Sequence, residues 1–169
     1  MKNIFLILYY GIASKLPNIS FPLGKMFNRF RVFTLKKTLV IGNNCRIMKN
    51  VYIGSGRDIE IGNYCRINEL SRLCNVKIGN YVMIGRETII LGMSHKHDKV
   101  DMPMERQEKK MSKQSIIEDD VWLGARVMIM PGVHIKKGCI IASNAVLTKD
   151  TEEYGVYGGV PAKLIKKRK

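Results

Sequence analysis

Acidic side chains are missing from the first third of this chain. Residues 1–57 hold Lys2, Lys15, Lys25, Arg29, Arg31, Lys36, Lys37, Arg46, Lys49 and Arg57, and neither Asp nor Glu. Over all 169 residues, 29 Lys and Arg face 14 acids, a net charge of +15. Such a field favours polyanionic partners: nucleic acid, anionic lipid headgroups or a polyphosphate ligand. A solubilising surface is the plain alternative. Nucleic acid is not expected, because aromatic and basic residues do not interleave. Cysteine is scarce as well. Cys45, Cys65, Cys74 and Cys139 form no C-x-x-C pair, which argues against a disulfide scaffold and a structural zinc site and favours free thiols in a reducing compartment. Proline (5) and glycine (15) are too few for a collagen-like or low-complexity chain. No apolar run reaches the roughly 20 residues of a membrane-spanning helix. The run Ile4–Tyr10 is followed by no small-x-small cleavage site and meets Lys15-Leu16-Pro17 too soon, so a short hydrophobic helix retained on the protein is expected.

What the sequence has is a strict period of six. Ile117, Leu123, Ile129, Ile135, Ile141 and Leu147 fall six apart, and Val121, Val127, Val133, Cys139 and Ala145 each follow an aliphatic residue by four. Upstream, the same phase runs through Ile41-Ile47-Ile53, Ile61-Ile67-Leu73 and Ile78-Ile84-Ile90, with Cys45, Val51, Cys65, Ser71, Val82, Thr88 and Ser94 as the small residues. Neither a helical nor an alternating pattern keeps this period. The expected object is a triangular coil: each hexad makes a short strand and a turn, three hexads close a coil, and coils stack at about 4.8 Å. Aliphatic and small positions point inward, so Cys45, Cys65 and Cys139 read as small core residues. Gly42, Gly54, Gly62, Gly79, Gly85 and Gly124, each after an aliphatic residue, are expected at turns of positive φ. Slips at 58–60 and near Lys77 are expected as corner bulges.

The pattern resembles the hexapeptide-repeat acyltransferases, best over Ile117–Gly124, Met130–Val133, Leu147–Asp150 and Gly158–Lys163. Within them it resembles the maltose and galactoside O-acetyltransferases, and Lys15-Leu-Pro17, Gly24-Lys25 and 33–37 are similar to members that acetylate surface polysaccharides. The resemblance implies an all-β fold: a left-handed parallel β-helix of about five to six coils over residues 39–169, after an N-terminal helical, basic segment over 1–38. It ends in a C-terminal tail with room for a helix.

The phase is lost between Ile90 and Ile117, where residues 92–115 read as an inserted loop, and long excursions from a regular scaffold are where function concentrates. Acyl transfer from a thioester to an alcohol needs a general base, and histidine suits neutral pH. The loop carries Ser94-His95-Lys96-His97-Asp98. The resemblance makes His95 the base, with His97 the second candidate and Lys96 where the family has proline. It puts the oxyanion-stabilising backbone N–H at Ala125, the acceptor against Asn68 and Trp122, and the donor, acetyl-CoA, along Ala125, Ser143, Thr148, Lys149, Lys163 and Lys166. Ala142-Ser143-Asn144 stands where Gly-Ala-Gly is usual. It further implies a homotrimer with sites between chains; a cytoplasmic location is expected, and the basic, partly apolar N-terminus suits a peripheral contact with the inner face of an anionic membrane. Three other readings stay open on the residues: an amino-sugar N-acetyltransferase, a metal enzyme of the γ-carbonic anhydrase type using His95, His97 and His134, and a non-catalytic scaffold. No metal is expected, because zinc ligands come as convergent sets.

Overall fold

A computed structural model describes residues 2–168, with 109–111 as backbone alone; Lys169 of the basic tail lies outside the described residues. The chain winds into a three-sided prism of parallel strands. The first face stacks β1 (Val40–Ile41), β3 (Ile59–Ile61), β6 (Val76–Ile78), β11 (Ser115–Ile117) and β14 (His134–Ile135). The second stacks β2 (Arg46–Ile47), β4 (Arg66–Ile67), β7 (Met83–Ile84), β12 (Trp122–Leu123), β15 (Ile140–Ile141) and β17 (Gly155–Gly159). The third stacks β5 (Arg72–Leu73), β8 (Ile89–Ile90), β13 (Met128–Ile129) and β16 (Val146–Leu147), below which Tyr52 bridges to Arg72. The expected parallel β-helix is therefore present.

Its register explains the period. Ile41, Ile61, Ile78, Ile117 and Ile135 pair in line up the first face, and Ile47, Ile67, Ile84, Leu123 and Ile141 up the second. All of them are buried while their outward neighbours are more exposed. The small inward positions do more than fill space. Cys45 and Cys65 donate S–H to the carbonyls of Gly62 and Gly79, and Ser71 and Thr88 donate O–H to those of Gly85 and Gly124, each at 3.1 Å. A residue with a short donor thus satisfies a corner carbonyl of the next coil that the strand ladder leaves open.

Several expectations need correction. Of the six glycines, only Gly54 has positive φ (+54°). The left-handed corner residues are instead Asn44, Asn50, Tyr64, Leu70, Tyr81, Glu87, Asp120, Arg126 and Asn144, at φ 56–63°. The glycines are required by close approach: a Cβ on Gly62 would stand 2.5 Å from the Gly79 carbonyl oxygen, and one on Gly124 2.6 Å from the Ser143 nitrogen. The first slip is a two-residue expansion turning through Gly54 and Gly56, and the second is a coil one residue short that closes at Asn75 (φ 44°). Ser94 is exposed, because the coil has already been left at that point. The tail is not helical: β17 and β18 (Ala162–Lys167) form an antiparallel hairpin.

The N-terminal segment is two helices, α1 (Lys2–Gly11) and α2 (Gly24–Lys36), joined through a short 3-10 turn, Ala13–Lys15. They close the open edge of the first coil. Asn28 of α2 donates to the Cys45 carbonyl (3.0 Å) and accepts from the Ile47 N–H (2.9 Å). Arg31, fully buried, donates to the carbonyls of Ile47, Ala13, Leu16 and Pro17 at 2.6–3.2 Å. The Tyr9 hydroxyl donates to the Val51 carbonyl (2.7 Å), and Tyr10 receives the Ile53 N–H (3.1 Å).

If the glycines are there for approach, Gly62→Ala will destabilise the fold by about 1–3 kcal/mol through overpacking. Asn44→Gly, at a positive-φ corner, will change it by no more than about 0.5 kcal/mol. Thermal unfolding of both variants checks this, and equal effects would refute the packing role.

Candidate functional site

Two corners of the prism carry the residues expected at the site. The corner between second and third faces bears Asn68, Gly85, Ala125 and Ser143 on successive coils, since these residues follow β4, β7, β12 and β15. Gly85 lies over the Gly124 carbonyl and Gly124 over Ser143, so the coils approach closely along this glycine track, and Arg86 and Arg126 flank it, both paired with Glu87. Asn68 is half-buried and its Nδ2 donates to the Ile84 carbonyl (2.9 Å). The Ala125 N–H donates to Ser143 Oγ at 3.1 Å. Ser143 therefore engages the amide that the resemblance assigns to the oxyanion.

The corner between third and first faces gives rise to the excursion. Residues 92–115 are an arm rather than an irregular loop: β9 (Met93–His95) pairs antiparallel with β10 (Lys109–Met111), putting His95 opposite Lys109. His95 and His97 are both exposed. A carbonyl can only accept, so His97 carries a proton on Nδ1 where it lies 3.1 Å from the His95 carbonyl oxygen. Past the strands, Lys96 and Glu108 pair at 2.7 Å. The turn is organised by Gln107, whose Nε2 donates to the carbonyls of Lys99 (2.8 Å) and Met102 (3.0 Å). Nothing in the repeat pattern pointed to Gln107; its one signal is an amide within an otherwise charged stretch.

The remaining expected residues are dispersed. Thr148 and Lys149 are exposed beyond β16, at the arm's corner and not at that of Ala125. Lys163 and Lys166 are exposed on β18, opposite Gly158 and Val156. Trp122, 49% exposed, projects from the second face between Met83 and Ile140. His134 stands on the first face with its Nε2 2.7 Å from Glu118 Oε1, and among the described residues no three metal-ligating side chains gather. Burial works to raise the Glu118 pKa, but bonds from the Lys137 N–H, His134 and Lys136 outweigh it and hold the carboxyl below its ordinary value.

Comparison with known proteins bears on this arrangement. Residues 114–149 match the bacterial transferase hexapeptide family (six repeats). A galactoside O-acetyltransferase of Lactococcus lactis is 31% identical over 131 residues, 75% of this chain and 62% of that protein. Over these stretches the chain is similar to hexapeptide-repeat acetyltransferases, and it spans less than two thirds of the length of the curated relatives it matches. A chloramphenicol acetyltransferase of Klebsiella aerogenes is 50% identical over 54 residues, 32% of this chain, and the match spans only 26% of that relative. The crystal structure of a Vibrio cholerae hexapeptide-repeat acetyltransferase complexed with acetyl-CoA superposes with a TM-score of 0.78 at 25% identity, covering 97% of this chain and 87% of that one. A coil of opposite hand would not superpose so, and this hexapeptide-repeat helix has the hand of its relatives.

Because Gln107 holds the arm's end together, Gln107→Ala will speed amide hydrogen exchange over residues 96–108 about tenfold. The melting temperature will stay nearly unchanged. A global loss of stability instead would mean that the arm belongs to the core.

Proposed function

We propose that the protein transfers an acetyl group from acetyl-CoA to a sugar hydroxyl, in the assembly of a surface polysaccharide. The observation that carries this reading is the single long interruption of the coil, an ordered arm presenting His95 to solvent. The galactoside O-acetyltransferase relative and the acetyl-CoA complex of the Vibrio protein support it.

In this scheme His95 removes the acceptor hydroxyl proton as the oxygen attacks the thioester carbonyl. The carbonyl oxygen becomes an oxyanion and takes the Ala125 N–H in exchange for Ser143 Oγ. When the tetrahedral intermediate collapses, the carbon–sulfur bond breaks and the proton on His95 passes to the CoA sulfur. Asn68 and Trp122 contact the sugar. Ala125 and Ser143 flank the pantetheine arm, and Thr148, Lys149, Lys163 and Lys166 serve its phosphates.

His95 and Ala125 occupy different corners of one chain, so the reading requires a homotrimer in which one chain's arm meets its neighbour's glycine track. The exposed, stacked Tyr64–Tyr81 pair (ring centroids 5.0 Å apart) offers it apolar surface. A peripheral membrane contact is supported by exposed Ile4, Ile7 and Ile12 beside Lys2 and Lys15; among the described residues no helix is long and apolar enough to cross a membrane.

His95→Ala should lower kcat by about 10²–10⁴ with little change in KM for acetyl-CoA, because the imidazole acts only on the reacting hydroxyl. His97→Ala should do less. Steady-state kinetics on both variants decides, and full activity of His95→Ala would end this mechanism. Sedimentation should find three chains per particle; a fully active monomer would refute the shared site.

A further inference from the structure

We infer that the cleft between α2 and the first coil binds the diphosphate group of a phosphorylated acceptor. This rests on the acetyl-transfer reading for the word acceptor, and on the cleft alone for the diphosphate. The cleft measures about 800 Å³ and opens at the corner between first and second faces. Lys25, Arg29 and Lys36 reach it from α2 and Arg46 from β2, Phe33 and Val32 form an apolar wall, and no acidic residue lines it.

Outside the cleft, seven Lys and Arg side chains sit in ion pairs among the described residues. Lys77, Arg86, Lys96, Arg126, Lys136, Lys167 and Arg168 all lie within 4.0 Å of a carboxylate. None of the cleft's four cations has a carboxylate partner among the described residues; Lys36 instead donates to Asn43 Oδ1 at 3.0 Å. Four like charges around one hollow repel each other, and the arrangement relaxes when a compact multivalent anion enters. The cleft has the size of a small-molecule site, and its guanidinium groups match phosphate oxygens in a fork.

The surface beyond the cleft shows where the rest of such a ligand would lie. On the outer side of the second face, Arg46 stands beside Arg66, Arg66 beside Met83, and Met83 beside Trp122. Three strand steps separate Arg46 from Trp122, about 14 Å, a span that a glycosyl diphosphate can bridge with its sugar toward Trp122. The diphosphate can come from a nucleotide sugar or from a polyprenyl diphosphate sugar, and both present the same group to the cleft.

Calorimetric titration of the full chain with UDP-glucose, with farnesyl diphosphate in detergent, and with glucose tests the inference. At least one diphosphate ester should bind one per chain while glucose does not, and the tighter ester identifies the source. Arg29→Glu with Lys36→Glu should weaken that binding about 100-fold, some tenfold per lost contact. Lys49→Glu with Arg57→Glu, an equal charge change outside the cleft, should weaken it less than about threefold. If the reversed pair does not fold, Arg29→Ala with Lys36→Ala should still show a loss of about tenfold. Acetyl-CoA affinity should survive all these changes. Equal losses in the two pairs, no loss in either, or displacement of the ester by acetyl-CoA would overturn the site. Ester binding by a protein that acetylates no sugar would instead retire the acetyl-transfer reading and leave the cleft assigned.

Discussion

Each turn of the prism exposes one row of backbone N–H and C=O groups upward and another downward, and every row has to be met. Within the stack, neighbouring coils meet each other in register, which forces nearly equal coil lengths and so the six-residue period. The two ends need other partners. At the top β18 turns back antiparallel on β17. At the bottom Asn28, Arg31, Tyr9 and Tyr10 supply side-chain donors and acceptors to the first coil. An edge left open would be a template for pairing with another chain.

The bottom closure rests on an unusual residue. Arg31 is a fully buried cation with four carbonyl partners and no acid, and burial draws its pKa down. Its forked guanidinium reaches the first coil and the 3-10 turn at once, which a point charge on Lys could not do. With α2 anchored in this way, its other side stands over the first coil and leaves the cationic cleft between them. The device that ends the helix thus also creates the second candidate binding surface.

Stacking governs the catalytic reading too. Close coils demand glycine at the corner of Gly85 and Gly124, beside Ala125. The same stacking allows no room for a functional side chain inside the prism, so chemistry has to be carried by an excursion. In the proposed reading the arm with His95 is that excursion, and because it leaves from another corner, one chain by itself does not bring His95 and the glycine track together.

The repeat made the core legible before any coordinates. Ile117, Leu123 and their partners had to face inward, because only an inward aliphatic every sixth residue buries enough apolar surface in so thin a prism. The recurrent Gly-Asn pairs at 42–43, 62–63 and 79–80 were visible too, but not that Asn63 Oδ1 accepts the Asn43 N–H and Asn80 Oδ1 the Asn63 N–H to make a ladder up the corner. His95 was legible as the histidine of an interruption. The role of Gly62, the hairpin at the tail, the hold of Ser143 on Ala125 and the gathering of Lys25, Arg29, Lys36 and Arg46 were not. Sequence determined what depends on period, since burial repeats with the coil. Tertiary structure alone decided what depends on approach between distant segments, because the distance from α2 to the first coil, or from one corner glycine to the next, is set by packing and written in no local pattern.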